Sequence, residues 1–231
     1  MSPIQLFDLD SSTFSYLLVD AQRKVAVIID PVAQHLSRDL LLLDRLGLQL
    51  AFVLETHAHA DHVTSAGRLC AHTGARSAAP RGCGIECADL QLDDGTSLSF
   101  GDGETIRVLH TPGHTAGSMC YLWRDHLFTG DTLLINGCGR TDFQGGDART
   151  LYISITEKLF VLPDETRMWP GHDYNGQSVS TIGWEKRNNR RLAGRDCISF
   201  VDLMNQLELP KPKLIEVAVP ANRTLGLSFD Q

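Results

Sequence analysis

Three histidines and one aspartate lie within the six positions from His57 to His62. They follow the apolar run at residues 51–54, and an apolar run bounded by polar residues predicts a buried strand. The imidazole and carboxylate groups are therefore expected to project from the loop at the end of that strand. Both groups are ligands that suit zinc, iron and manganese, and several must converge to hold one ion. The spacing predicts a metal site rather than a polar loop with incidental histidines.

Three more polar clusters lie just beyond other predicted strands. Residues 110–115, which include His114, follow strand-forming residues at 105–109. Asp131 lies in the second cluster, Thr-Gly-Asp-Thr, and His172 follows a short predicted strand that ends near Trp169. Each cluster is therefore predicted to occupy a loop at a strand end.

The elements that must position these loops alternate between strands and helices. Leucines at 36, 40, 43 and 46 have helical spacing, and Gly47 lies where that helix would end. In chain order, we predict strands at 14–19 and 25–29, helices at 35–46 and 65–72, short strands within 76–132, and helices at 148–159 and 200–207. This order predicts an α/β fold with two β-sheets flanked by helices. We expect a single domain, 1–231, with 176–231 as a C-terminal closing segment.

Composition narrows the class of protein. A chain of 231 residues with 42% hydrophobic residues is ordinary for a globular protein, and a formal net charge of -7 argues against a general nucleic-acid binder. No apolar run reaches the roughly 18 residues that a membrane helix needs, and the first residues do not open a signal peptide. The six cysteines form no zinc knuckle and are read as mostly reduced thiols. A cytoplasmic location without membrane attachment is the default expectation.

The polar clusters together resemble the metallo-β-lactamase superfamily in order and spacing, over residues from about 14 to 175. The residues that carry the resemblance are His57-x-His59-x-Asp61-His62, Gly113-His114, Thr129-Gly130-Asp131 and Gly171-His172. The resemblance implies an αββα sandwich with the metal at one edge between two mixed sheets. In two-metal hydrolases of this superfamily, the first ion would be held by His57, His59, His114 and Asp131, and the second by Asp61, His62, His172 and Asp131.

Residues 134–144 resemble the persulfide dioxygenase family within that superfamily. Thioester hydrolases of the glyoxalase II type share the Gly-Cys-Gly and a basic residue, but have aromatic residues in place of Thr141-Asp142 and a longer helical C-terminal domain. Residues 185–192 and the tail at 209–222 also look like the dioxygenases. Two positions depart from the family pattern, since Trp184 replaces an acidic residue and Arg190 replaces a proline.

The resemblance implies one Fe(II) per chain, held by His57, His114 and Asp131. This two-histidine, one-carboxylate triad leaves half the positions of an octahedral ion open, so a persulfide sulfur and O2 could bind as neighbours and yield sulfite and a thiol. His59, Asp61, His62 and His172 would then orient the ligands and move protons. The alternative is that these four groups bind a second metal, in a zinc-dependent hydrolase of glutathione thioesters. A metal-binding module without chemistry is a third alternative, which the number of motifs disfavours.

The resemblance also implies a glutathione persulfide substrate and a homodimer. Arg140 and Arg191 are predicted to bind glutathione carboxylates, and Tyr174 to donate a hydrogen bond to bound oxygen. The alternatives are that Arg140 ties Asp142 into its loop, that Arg191 belongs to a solvated basic helix end, and that Tyr174 is structural. Cys138 is expected to have a packing role, and His35, His72, His110 and His126 are expected to be surface or capping residues.

Overall fold

The computed structural model describes residues 2–229. Their contacts divide the chain into two compact units. Unit 1 comprises Met1–Leu92, Ser97–Thr105 and Lys211–Gln231, and unit 2 comprises Asp93–Thr96 and Ile106–Pro210. The predicted boundary at residue 176 is not tested by this division and stays a prediction.

Unit 1 is built on a six-stranded mixed sheet with the order β1-β2-β3-β4-β5-β6. Its strands are β1 (Ile4–Asp8), β2 (Thr13–Asp20), β3 (Val25–Ile29), β4 (Gln49–Leu54), β5 (Arg76–Pro80) and β6 (Leu90–Leu92). The first three strands pair antiparallel, and β3 to β6 pair parallel. Parallel pairing needs crossover connections, which helices supply between β3 and β4 and between β4 and β5.

The helices of unit 1 are α1 (Leu36–Leu46), which follows a 3-10 turn at Ala33–His35, α2 (Ala66–Thr73) and α6 (Ile215–Asn222). The predicted end of α1 is confirmed, and α2 ends one residue beyond its predicted end. Gly47 and Gly74 follow them in the left-handed conformation, with φ of 60° and 74°, where a side chain would be strained. Buried Leu43, Leu50 and Leu69 belong to the core of this unit, and full burial of such a side chain stabilises the fold by about 2 kcal/mol.

The second six-stranded sheet has the order β12-β11-β10-β9-β8-β7. Its strands are β7 (Ser97–Phe100), β8 (Glu104–His110), β9 (Met119–Trp123), β10 (His126–Gly130), β11 (Arg167–Pro170) and β12 (Ser180–Thr181). This sheet is also mixed, because β10 and β11 pair parallel whereas β8, β9 and β10 pair antiparallel.

Unit 2 contains helices α3 (Ala148–Ile153), α4 (Ile182–Asn188) and α5 (Cys197–Asn205). The predicted helix at 148–159 is present, but its second half, Ser154–Leu159, is a π-helix. Leu127, Leu151, Ile155 and Phe200 lie in the separate core of this unit. No helix in the described range 2–229 is long and apolar enough to cross a membrane.

The prediction for His126 was wrong, because this side chain is buried. Its ring stacks on Trp123 with centroids 5.7 Å apart, and Trp169 Nε1 donates a hydrogen bond to His126 Nδ1 at 3.0 Å. Trp169 comes from the neighbouring strand β11, which is why the sequence around His126 gave no sign of burial.

Candidate metal centre

Most of the candidate ligands lie at the carboxyl ends of parallel strands in their own units, whereas His114 follows β8, which pairs antiparallel with β9. Asp30 follows β3 and the histidine loop follows β4, and these two strands are parallel neighbours. Asp131 follows β10 and His172 lies just beyond β11, which are also parallel neighbours. The carboxyl ends of adjacent parallel strands meet at one sheet edge, so polar residues distant in sequence become neighbours.

In unit 1, a hydrogen-bonded chain orients His57. The Thr56 amide and hydroxyl both donate to the buried Asp30 carboxylate at 2.7 Å. Because the hydroxyl hydrogen points to Asp30, the contact of 2.9 Å between Thr56 Oγ1 and His57 Nδ1 has the imidazole as donor. His57 Nε2 is thereby left with the lone pair that a metal ligand needs.

His59 lies between two carboxylates of unit 1. Its Nε2 is 3.1 Å from Asp30 Oδ1 and 3.1 Å from Glu55 Oε2, and all three side chains are buried. Burial alone would lower the pKa of His59, but the two carboxylates outweigh it and hold this pKa well above its usual value. Both ring nitrogens of His59 are buried, and neither has a hydrogen-bond partner among the described residues.

Asp61 and His62 form a second pair in the same loop. His62 Nδ1 lies 2.9 Å from Asp61 Oδ2, which also accepts a hydrogen bond from Thr13 Oγ1 at 3.0 Å. His62 Nε2 is buried and has no hydrogen-bond partner within residues 2–229. One ligand atom each from His59, Asp61 and His62 lie within 4.8 Å of one another, so these three residues are able to hold a metal ion.

Asn222, at the end of α6, fixes the backbone of the histidine loop. Its side-chain amide donates to the carbonyls of His59 and His62 at 2.9 and 2.8 Å, and its Oδ1 accepts from the Thr64 amide at 2.8 Å. Asn222 is fully buried. The sequence contained it in the tail that resembles the dioxygenases, but gave no sign of this role.

In unit 2, His114 and Asp131 face each other in a way that favours a cation. His114 Nδ1 lies 2.7 Å from the Arg140 carbonyl, which can only accept, so Nδ1 carries the hydrogen and Nε2 the lone pair. That Nε2 is 3.6 Å from Asp131 Oδ2, and His172 Nε2 is 3.5 Å from Asp131 Oδ1. Asp131 Oδ1 is buried with no hydrogen-bond partner among the described residues. Two electron-pair donors that face each other without a shared hydrogen fit a metal ion.

Two glycines permit the close approach of these groups. A Cβ at Gly171 would lie 2.7 Å from Asp131 Oδ1. A Cβ at Gly139 would overlap the Asp131 carbonyl oxygen and lie 2.7 Å from His114 Nδ1. Any larger residue at either position would displace a candidate ligand.

Arg140 is engaged by protein groups in this structure. Its Nε and Nη2 form a bidentate pair with the Asp142 carboxylate, both at 2.7 Å, and its Nη1 donates to the Pro210 carbonyl at 2.6 Å. The guanidinium also lies 4.5 Å above the Phe143 ring. The alternative role, tying Asp142 into the loop, therefore agrees with the geometry, and substrate contact by Arg140 stays a prediction.

Arg191 has more of its guanidinium available. Its Nη1 donates to the Cys138 carbonyl at 2.6 Å, whereas neither Nε nor Nη2 has a hydrogen bond to a described side chain or carbonyl. The turn before it is held by Asn189, whose amide donates to the Gly137 carbonyl at 2.9 Å and to buried Glu185 at 2.8 Å. Arg191 is therefore positioned against the loop that contains Cys138.

Tyr174 and Trp184 are largely exposed, at 70% and 51%. The Tyr174 ring stacks on His172 with centroids 5.9 Å apart, and its predicted bond to oxygen stays a prediction. Trp184 lines a cavity of about 630 Å³ with Ile135, Arg167, Trp169 and Val179. Cys138 is buried, as its expected packing role requires.

The model of the metallo-β-lactamase superfamily matches residues 9–172. The chain belongs to this superfamily and has its fold of two mixed sheets flanked by helices, as the sequence predicted.

Within the superfamily, the chain belongs to the family of the ETHE1 persulfide dioxygenases. It is 46% identical to the human mitochondrial persulfide dioxygenase ETHE1, over 96% of this chain and 88% of that protein. The crystal structure of ETHE1 from Myxococcus xanthus is similar with a TM-score of 0.95 and 48% identity, and covers 98% of this chain and 100% of that one. A probable polyketide biosynthesis zinc-dependent hydrolase, BaeB of Bacillus velezensis, is 36% identical over 74% of this chain and 79% of its own length.

Proposed function

We propose that the protein is a mononuclear non-haem Fe(II) persulfide dioxygenase, which oxidises glutathione persulfide with O2 and water to sulfite and glutathione. The observation that carries the proposal is the 46% identity to a persulfide dioxygenase over 96% of the chain. The His114–Asp131 pair supports it, because imidazole and carboxylate are the ligand types of a facial triad.

His57, His114 and Asp131 are the proposed iron ligands. Each has a feature that suits the role: His57 and His114 both use Nδ1 for a hydrogen bond, and Asp131 Oδ1 is buried with no hydrogen-bond partner among the residues described. Fe(II) would supply open positions and redox chemistry for a persulfide sulfur and O2 to react together. The ligand set is a proposal that rests on these donors and on the family.

The chain's own residues bind and orient the substrate. We assign the glutathione carboxylate to Arg191, because its Nε and Nη2 form a fork with no hydrogen bond to another described residue. Arg140 contributes a second positive charge if substrate displaces Asp142 from it. Tyr174 supplies an exposed hydroxyl and ring beside His172.

The residues around the proposed ligands also hold protons. One persulfide anion, one O2 and one water give one thiol, one sulfite dianion and one proton, with O2 reduced by the four electrons that the sulfur atoms lose. The reaction therefore releases a proton, and His59 and His62 are buried groups of unit 1 that are able to bind one. Asp61 and His62, which share a hydrogen bond, are the pair we assign to its removal.

A zinc-dependent glutathione thioester hydrolase is the second candidate. The cluster of His59, Asp61 and His62 favours it, because these groups are able to hold a second ion in unit 1. The resemblance to BaeB, which is named as a zinc-dependent hydrolase, points the same way. The dioxygenase is preferred because the similarity to ETHE1 is greater and covers more of the chain.

Oxygen uptake separates the two candidates. The purified protein is given glutathione persulfide in an oxygen electrode while sulfite is measured, and a glutathione thioester is tested in parallel. The dioxygenase consumes one O2 per sulfite formed and leaves the thioester intact. Thioester hydrolysis without oxygen uptake would replace the dioxygenase with the hydrolase.

We further propose a cytoplasmic homodimer. The free cysteines agree with a reducing compartment, whereas the human relative is named mitochondrial. The dimer rests on the family resemblance alone. Light scattering measures the assembly state, and fractionation of the source cells measures the location.

A further inference from the structure

Six side chains of unit 1 form a continuous hydrogen-bonded chain that begins at His35 and ends at His62. His35 Nε2 lies 2.8 Å from Asp8 Oδ1, and the Ser11 hydroxyl oxygen lies 2.5 Å from Asp8 Oδ2. Ser11 Oγ is 2.6 Å from Thr13 Oγ1, which lies 3.0 Å from Asp61 Oδ2. The Asp61–His62 contact completes the chain.

We propose that His35, Asp8, Ser11 and Thr13 are a proton relay that connects Asp61 and His62 with solvent. The inference rests on the proposed function in one respect, namely that sulfite formation releases a proton beside these two residues. The relay itself is argued from the hydrogen-bond geometry of unit 1.

The hydroxyl groups of Ser11 and Thr13 have one hydrogen each and cannot donate to every neighbouring oxygen at the same time. If Ser11 donated to Asp8 while Thr13 donated to Asp61, no hydrogen would lie between the two hydroxyl oxygens, although they are 2.6 Å apart. One of the two hydroxyl groups must therefore donate its hydrogen to the other hydroxyl oxygen. The carboxylate that loses this hydrogen bond, Asp8 or Asp61, must then accept a hydrogen bond from a different donor.

Such donors are present at both ends. When Thr13 donates to Ser11 and Ser11 to Asp8, Asp61 Oδ2 receives a hydrogen from His62 Nδ1. When Ser11 donates to Thr13 and Thr13 to Asp61, Asp8 Oδ2 keeps the hydrogen bond from the Ser11 amide at 2.8 Å. Both arrangements satisfy both carboxylates, and rotation of two hydroxyls interconverts them.

A proton moves outward along this chain without any change in electron count. Asp61 takes a proton from His62 and passes it to Thr13 Oγ1, whose own hydrogen passes to Ser11, and that of Ser11 to Asp8 Oδ2. Asp8 contacts His35 Nε2 through its other oxygen, Oδ1. Rotation of the protonated Asp8 carboxyl group brings its O–H to His35 Nε2, which accepts the proton, and the imidazole then releases the hydrogen of Nδ1 to solvent. One O–H or N–H bond breaks and one forms at each link.

His35 is the group that meets solvent. Its side chain is 28% exposed, whereas that of Asp8 is 4% exposed. Ser11 is also partly exposed, but an aliphatic hydroxyl does not hold an extra proton, whereas an imidazole has two nitrogens and can bind one. The charged groups around His35 are Asp8 on β1 and Arg38 and Asp39 on α1.

Asp8 is ionised in the resting chain. Burial would raise its pKa, but hydrogen bonds from the Ser11 hydroxyl and amide and from His35 outweigh burial and hold the pKa below its usual value. A small cavity of about 110 Å³, lined by Asp8, Ser11, Asp61 and His62, is the competing route if it fills with water.

Iron-loaded Thr13→Val and Ser11→Ala break the chain while leaving all carboxylates and imidazoles in place. We expect kcat to fall about ten- to a hundredfold with KM unchanged, and the solvent isotope effect on kcat to rise, because proton removal becomes rate-limiting. His35→Gln keeps a hydrogen-bond donor towards Asp8 but cannot carry a proton, so it should show the same fall in kcat and the same rise in the isotope effect. Added imidazole buffer should restore its rate.

The control is Thr73→Val, which removes a hydroxyl of the same unit that donates to the Leu69 carbonyl at 2.7 Å, outside the chain. Its rate and isotope effect should match wild type. Iron-loaded Thr13→Val or Ser11→Ala with wild-type kcat would overturn the relay and leave the cavity as the route.

A second readout needs no catalysis. In the metal-free protein, His35→Gln should change the imidazole nitrogen signals of His62 in NMR, because the hydroxyl orientations are coupled along the chain. The change should vanish when Thr13→Val is also present. An unchanged His62 signal in His35→Gln would refute the coupling. This test does not depend on oxygen uptake, so it remains valid even if the proposed function fails.

Discussion

At the scale of single residues, the candidate centre depends on side chains that hold its backbone. Asn222 is the clearest example, since one buried amide group makes three hydrogen bonds to the segment 59–64. Removing one partner of a buried hydrogen bond leaves the other unsatisfied, which costs more than the bond contributes.

Asn222→Ala should therefore lower the free energy of unfolding by about 2–4 kcal/mol and weaken metal binding. Asn188→Ala is the matched control, because Asn188 is exposed and its side-chain amide donates to the Trp184 carbonyl within its own helix. Urea denaturation and metal analysis measure the two effects. Equal stability of the two variants would show that Asn222 does not anchor the loop.

Arg191→Ala should raise KM for glutathione persulfide about ten- to a hundredfold with kcat nearly unchanged, since a charge-assisted contact is worth roughly 1.5–3 kcal/mol. Arg191→Lys should recover part of the loss, because an ammonium does not reproduce the fork. Steady-state oxygen uptake is the measurement. A wild-type KM in iron-loaded Arg191→Ala would remove Arg191 from the substrate site.

Arg140 differs from Arg191 because it already has a carboxylate partner, Asp142. If Arg140 acts by holding the loop, Asp142→Ala reproduces the kinetic effect of Arg140→Ala. If Arg140 binds substrate, only Arg140→Ala raises KM.

At the scale of elements, the ends of parallel strands bring the candidate ligands together, and glycines make room for them. Gly171, just beyond β11, lies against Asp131, which follows β10. A Cβ there would press on the carboxylate oxygen that has no hydrogen-bond partner among the described residues.

Gly171→Ala should accordingly lose most of its metal while its far-UV circular dichroism stays that of wild type. The control is Gly137→Ala, since a Cβ at Gly137 would meet only Arg191 Nε, at 4.0 Å. Metal content is measured by elemental analysis after gel filtration. Full metal content in Gly171→Ala would show that Asp131 is not a ligand.

The sequence predicted elements better than contacts between them. The leucine spacing in α1 and the apolar run of β4 are local patterns, so the helix and the histidine loop were both foreseen. Asn222 contacts a loop about 160 positions earlier, and no local pattern carries that information. For Arg140 the sequence offered two possible partners, the Asp142 carboxylate two residues away and a carboxylate of the substrate. The sequence alone could not decide between them.

At the scale of the whole molecule, the cysteines are free thiols. Burial raises the pKa of Cys70 to about 12, helped by the charges of Asp89 and Glu55. Burial also raises the pKa of Cys83, Cys120 and Cys138 to about 11. At pH 8 the reactive thiolate of such a group is about one part in a thousand, so Cys138 is a poor nucleophile towards a persulfide.

Iodoacetamide at pH 8 should therefore label the exposed Cys87 first, and Cys197 more slowly, in the native protein. The four thiols with raised pKa should stay unmodified until the pH approaches 11 or the protein unfolds. Peptide mass spectrometry identifies the labelled positions, and denatured protein, in which all six react, is the control. Rapid labelling of native Cys138 would contradict its packing role.

The metal content of the protein tests the central claim most directly. The wild type, His57→Ala and His62→Ala are purified without added metal and analysed for iron and zinc per chain. A mononuclear centre on His57, His114 and Asp131 predicts about one iron in the wild type, little in His57→Ala and most of it in His62→Ala. Two zinc ions per wild-type chain, or equal loss of metal in both variants, would contradict the account.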